Sequence, residues 1–204
     1  VILNLRGPSG SGKSYPGFRL LDNYGPPVEE IRSTDYFGRK RPKLIAQILP
    51  GGLCLAGRYT MKKSTVGDGV GYSGGVDGFF PVAELQDMLT MLSDRFPHML
   101  VESLMISGTY QRWADWADER DAAGQPVTFA TLDTPLETCL RRVRERNGGR
   151  EVKDDTIAKH RKQVHRCASR LREEGGHRSL ILDHTRSYDQ VEHLLLEGGW
   201  DPTQ

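Results

Sequence analysis

The segment Gly7-Pro8-Ser9-Gly10-Ser11-Gly12-Lys13-Ser14 constrains the fold of this chain more than any other. It follows a short apolar run over residues 1–5 and precedes a stretch that reads as helix from Lys13. An apolar run of that length, ended by a glycine-rich turn, suits a strand covered on both faces, as in a parallel sheet. Pro16 is compatible with the helix because it falls in the first turn, where a missing N–H would have had no partner. Between strand and helix, the glycines let the backbone curl until successive N–H groups face inward. Placed at a helix N-terminus, whose dipole adds to the attraction, such a curl is a nest for an anion. Lys13 brings a mobile positive charge to it, and Ser14 a hydroxyl.

Regular patterns continue along most of the chain. Apolar spacing predicts strands at 28–31, 53–56, 99–101, 127–132 and 179–182, and helices at 82–96, 109–123, 135–146, from Asp154 onward, and at 187–197. Trp113 and Trp116 share a helical face, and Ile157, Val164 and Leu171 make a stripe that needs a partner surface. Strands alternating with helices imply right-handed crossovers and a parallel sheet covered on both sides, hence an α/β fold in three layers. The 204 residues suit a single domain, 1–204. Between Arg39 and Gly78 the periodicity fails: a basic cluster (Arg39, Lys40, Arg41, Lys43) is followed by Gly67, Gly69, Gly71, Gly74, Gly75 and Gly78. An irregular stretch this long inside a compact domain reads as a substrate-binding insertion, spanning about 38–80.

Composition narrows the function classes. With a formal charge of +1, the chain has no global bias toward a polyanion, so nucleic-acid affinity must come from local patches. Cys54, Cys139 and Cys167 are far apart and form no CxxC pair, which disfavours a disulfide framework or a zinc site and fits a reducing cytoplasm. No apolar run reaches the ~18–20 residues that span a bilayer, and no signal-peptide pattern is visible. None of the six histidines has metal-ligand spacing.

The loop fits G-x-x-x-x-G-K-[ST] without a mismatch, in the strand–loop–helix context that the pattern requires. In this the chain resembles the P-loop nucleoside, nucleotide and polynucleotide kinases. That resemblance implies a P-loop NTPase fold and an ATP-dependent kinase using Mg²⁺. Gly7, Ser9, Gly10, Ser11, Gly12, Lys13 and Ser14 would cradle the phosphates, Lys13 reaching the β- and γ-groups and Ser14 ligating the metal. No N-K-x-D for guanine is present. Leu100-Val101-Glu102-Ser103 ends a strand in glutamate, as in small kinases, where Glu102 would orient a metal-bound water or touch the acceptor. Ser33-Thr34-Asp35-Tyr36-Phe37 looks like the Asp-Asp-Tyr segment of polynucleotide kinases, which makes Asp35 the candidate base and a second metal contact. The stretch 131–146, with its Thr-Pro and arginine-bearing helix, resembles the segment preceding the lid of nucleotide, shikimate and gluconate kinases; the lid itself spans about 141–156. Arg142 and Arg146 are four apart and share a helical face, so both can serve one polyanion. Residues 141–172 hold twelve Lys or Arg against four Asp or Glu, a local net charge of +8.

The acceptor should be chosen by the insertion. Arg58, Tyr59 and Asp77 offer a cation, a ring and a carboxylate, and Tyr36, Phe37, Tyr72, Phe79 and Phe80 add flat surfaces suited to stacking on a base. Gly74-Gly75-Val76-Asp77, with a central strand ending in Glu102, resembles the phage-type kinases that phosphorylate 5-hydroxymethyluracil within DNA. That resemblance implies modified DNA as partner, a base taken out of the stack, and Asp35 or Asp77 holding its exocyclic hydroxyl. It also implies a cytoplasmic enzyme, in the host's cytoplasm for a phage protein, with the basic cluster at Arg39–Lys43 following the strand backbone. The residues alone leave two other readings open: a kinase for a free nucleoside or nucleotide, and a non-catalytic, nucleotide-gated binding module.

Overall fold

The computed structural model describes residues 1–34, 42–63, 70–76, 82–148 and 154–204. At its centre is a seven-stranded sheet ordered β2-β3-β4-β7-β1-β8-β9, from β1 (Ile2–Arg6), β2 (Glu29–Arg32), β3 (Leu44–Leu49), β4 (Leu53–Ala56), β7 (His98–Glu102), β8 (Val127–Asp133) and β9 (Ser179–Asp183). Strands β5 (Thr60–Lys63) and β6 (Val70–Ser73) form a separate antiparallel pair. The five strands β4, β7, β1, β8 and β9 run parallel to one another, so their C-terminal ends share one edge of the sheet.

Every residue of β1 is buried, because helices cover both faces. Side-chain alternation divides the core into two layers. On one face, Ile2, Met99, Val101, Val127 and Phe129 pack with α2 (Val82–Arg95), α4 (Gln111–Ala122) and α6 (Asp154–Glu173) through Leu89, Trp113, Trp116 and Leu171. On the other, Leu3, Leu5, Leu100, Ala130 and Leu132 pack with α1 (Ser14–Tyr24) and α7 (Ser187–Glu197) through Phe18, Leu20, Val191 and Leu195. The stripe expected on α6 is realised: Ile157, Val164 and Leu171 are all buried. Trp113 and Trp116 meet edge to face, with centroids 5.7 Å apart.

The sheet is mostly rather than wholly parallel. β3 runs antiparallel to both β2 and β4, and the expected irregular stretch therefore contains a strand of the main sheet. The run Leu44-Ile45-Ala46-Gln47-Ile48-Leu49 is apolar enough to be buried from Ile45 on, but Lys43 and the cations before it hide the pattern. A 3-10 turn, Pro50–Gly52, reverses the chain into β4, with Gly51 and Gly52 at φ 70° and 71°. Trp200 locks this corner by donating its indole N–H to Pro50 O at 2.9 Å. A third, smaller cluster lies between α5 (Leu136–Arg146) and α6, made of Cys139, Val143 and Ile157. It joins the two helices that flank the arginine-rich segment.

Candidate nucleotide site

The loop after β1 sits at the sheet edge where the parallel strands end, the position at which open α/β folds gather ligands. Gly10 and Gly12 take φ values of 79° and 93°, which side chains rarely adopt, so the glycines of the motif are required by its shape. Ser11 N–H bonds Pro8 O at 3.2 Å and Tyr15 N–H bonds Gly12 O at 3.0 Å, closing the curl onto the first turn of α1. Lys13 is buried to 9% exposure and among the described residues its ammonium donates to Pro8 O alone, at a long 3.3 Å. The Ser11 hydroxyl is buried without a hydrogen-bond partner among the described residues. A curl with an under-used ammonium, a buried unsatisfied hydroxyl and the orphan amides of a helix start is built to take an oxyanion.

Three neighbours hold the loop. Thr134, at the end of β8, donates its hydroxyl to Ser11 O at 2.9 Å. Arg142 on α5 donates to Gly10 O and Ser11 O at 3.3 and 3.2 Å. Ser107 Oγ, on the short helix α3 (Leu104–Ser107), accepts from Gly7 N–H at 3.3 Å and donates to Ser103 O at 2.6 Å. Gly10 also lies against the backbone of Cys139, so α5 packs directly on the loop. Arg161 of α6 ties the far side of this unit: Nε donates to Thr134 O at 2.9 Å and Nη2 to Asp133 Oδ1 at 2.8 Å. Nothing in the spacing of Thr134 or Arg161 announces these contacts; they depend on which strand neighbours β1.

Glu102 ends β7 and is buried to 2% exposure. It lies under the root of the insertion, where Val76 N–H bonds Glu102 O at 3.1 Å and a Cβ placed on Gly74 would stand 2.8 Å from Glu102 Oε1. Gly57 and Gly75 cross at van der Waals distance, and Arg58 N–H bonds Gly75 O at 3.2 Å. Tyr59 is enclosed at 3% exposure, its ring against Gly17 and Gly74 and edge-on to Phe18. Its phenol is held well above the ordinary range by burial first, and then by Glu102 and Cys54. This ring is a wedge between α1 and the insertion, so it offers no open face for a base. Arg58 is half-buried; Arg142 is half-buried on the loop, while Arg146, one turn further along α5, is exposed. Asp35 and Asp77, with Tyr36, Phe37, Phe79, Phe80 and Arg39–Arg41, lie outside the described residues, as do Gly67, Gly69 and Gly78. Among the described residues there is no group of three or more His, Cys, Asp or Glu able to hold a metal.

The sequence profile of a family described as "5-hmdU DNA kinase" matches residues 5–177. The chain belongs to this family. A member from Pseudomonas phage M6, a 5-hmdU DNA kinase, is 28% identical over 182 residues, covering 84% of this chain and 83% of the relative. Two solved structures are similar at low identity. A gluconokinase from Sinorhizobium meliloti 1021 is 15% identical with a TM-score of 0.45, covering 96% of this chain and 89% of that one. A tunicamycin resistance protein from Deinococcus radiodurans is 16% identical with a TM-score of 0.49, covering 98% and 96%. The phosphate loop and the arginine helix packed on it lie at one sheet edge, and Glu102 ends the strand next to β1.

Proposed function

We propose that this chain transfers the γ-phosphoryl group of ATP to the hydroxymethyl oxygen of 5-hydroxymethyluracil in DNA. The observation that carries the reading is membership of the 5-hmdU DNA kinase family, together with an oxyanion nest at residues 7–14 that the structure builds from β1 and α1. The loop amides and Lys13 hold the β- and γ-phosphates; on binding, Lys13 exchanges its long contact with Pro8 O for phosphate oxygens. Ser14, at the first turn of α1, would hold Mg²⁺, with Asp35 as the second candidate, and the ion would neutralise phosphate charge. The acceptor oxygen attacks the γ-phosphorus as the bond to the β–γ bridging oxygen breaks, releasing ADP. The acceptor's proton passes to a carboxylate, for which Asp35 is the first candidate, while Glu102 and Asp77 border the acceptor. Arg142 leaves the loop carbonyls for the transferred group, whose charge cations of this kind stabilise by about 10³–10⁵ in rate.

A base inside a duplex cannot reach a site of this depth, so the modified base is taken out of the stack. Aromatic side chains of the insertion other than Tyr59 receive it, since Tyr59 is already enclosed. The test is phosphate transfer from γ-labelled ATP to three acceptors: DNA containing 5-hydroxymethyluracil, the same DNA with thymine, and free 5-hydroxymethyl-deoxyuridine or its monophosphate. Label on the modified DNA alone is the expected outcome. Label confined to the free nucleoside or nucleotide would replace the DNA reading with a small-molecule kinase, and no transfer to any acceptor would remove the kinase reading.

A further inference from the structure

Arg6 closes β1 one residue before the loop and is wholly buried. The register sets it beside Thr131 of β8, on the face that also carries Asn4. Its Nε donates to Asn4 Oδ1 at 3.2 Å and its Nη1 to Cys167 Sγ at 3.0 Å, and its guanidinium stands 4.6 Å from the centroid of the Phe129 ring. Among the described residues Nη2 has no hydrogen-bond partner, and neither have Asn4 Nδ2 nor Thr131 Oγ1. The other buried guanidinium among the described residues, Arg120, is matched with an acid, Asp94, at 2.5 Å. Among the described residues Arg6 has no carboxylate. Burial pulls its pKa down, and only the Cys167 thiol works against that.

A buried charge without a counter-charge is among the most costly features a fold can carry, and an apolar side chain of similar size would do better for stability alone. The charge sits at the base of the phosphate loop, one residue before Gly7. We propose that Arg6 is an electrostatic part of the nucleotide site, a positioning cation whose counter-charge is the polyphosphate held in the adjoining loop. It acts through the low-dielectric strand end and not by contact, so water and salt screen it poorly. Cys167 Sγ accepts from the guanidinium at 3.0 Å and donates to Thr109 O at 3.3 Å, so it anchors Arg6 without a carboxylate. The inference rests on the reading that residues 7–14 bind ATP.

Its test is calorimetric titration of the full chain with Mg-ATP, for the unaltered protein, Arg6→Met and Arg6→Lys, at low salt and at about tenfold higher salt, with thermal melts in the absence of nucleotide. The expected result is an Arg6→Met protein that melts at or above the temperature of the unaltered one yet binds Mg-ATP about tenfold more weakly at both salt concentrations, with Arg6→Lys restoring most of the affinity. An Arg6→Met protein that binds as well as the unaltered one overturns the proposal. So does one that melts lower or fails to fold, because Arg6 would then be a structural strut, and so does a deficit that vanishes at high salt. Absence of Mg-ATP binding by the unaltered protein would instead remove the reading of the loop itself, which keeps the two failures apart.

Discussion

At Gly10, φ is 79° and a Cβ would stand 2.3 Å from Cys139 O, which is backbone of α5 and cannot swing aside. Gly10→Ala therefore adds backbone strain of about 1–3 kcal/mol and a clash that prises α5 off the loop. Its melting temperature should fall and its Mg-ATP affinity with it, whereas the same change at Gly124, which has open space around it, should show the φ penalty alone. Tyr59 gives a prediction of opposite sign. Its hydroxyl is buried with no hydrogen-bond partner among the described residues, so Tyr59→Phe should leave urea stability unchanged or raise it by about 1 kcal/mol. Tyr59→Ala removes the wedge between Gly17 and Gly74 and should cost about 3–5 kcal/mol. A Tyr59→Phe protein markedly less stable than its parent would mean that the phenol has a polar role at Glu102. The identity of the loop residues was legible from spacing because each glycine answers a local backbone requirement. The enclosure of Tyr59 was not, since an aromatic flanked by glycines looks the same whether it is a wedge or a platform.

At the scale of elements, α5 separates the two arginines that the sequence places on one face. Arg142 rests on Gly10 O and Ser11 O, while Arg146 lies a turn further out and is exposed. The pair is thus unequal. Arg142→Ala should lower single-turnover transfer by about 10³-fold or more, and Arg146→Ala by far less. Equal losses would show that α5 moves by a full turn toward the phosphates during the reaction. Arg144, paired with Asp154, and Arg141, paired with Glu145, belong to the outer face of the same helix, which accounts for part of the +8 charge counted along the segment. Helices α2, α4, α5, α6 and α7 could be read from periodicity because each has one apolar stripe against the sheet. β3 could not, because its apolar run opens beside a cationic cluster, and neither could α3, whose four residues are too few to show a period. Arg6 escaped for a different reason: a charge at the end of an apolar run reads as the point where burial stops, and here burial continues through it.

For the whole molecule, the titrating groups that folding perturbs set a window of stability. Burial holds His98 below its ordinary 6.5. Burial, and then Arg161, likewise hold His165 below 6.5, against the opposing pull of Asp133. For both, the unfolded chain takes up protons before the folded one, so their contribution is complete above about pH 6.5 and is lost as the pH falls below it. The alkaline side has the reverse sign. Burial raises the thiols of Cys54 and Cys139 above their ordinary 9.0, and the phenols of Tyr59, Tyr24 and Tyr188 above 10.0. There the unfolded chain loses protons that the folded one keeps, so stability present below pH 9 declines as the pH rises through 9 and steepens past 10. Urea midpoints measured from pH 5 to 10.5 should therefore rise to a plateau between about 7 and 8.5 and then fall, with an unchanged m-value showing that the folded state itself is constant. Because the thiols and phenols named lie on both sides of the sheet and under the insertion, the alkaline decline belongs to the fold as one cooperative unit. A midpoint still flat at pH 10.5 would mean that these groups reach water without unfolding, and hence that the layers over the sheet open independently of one another.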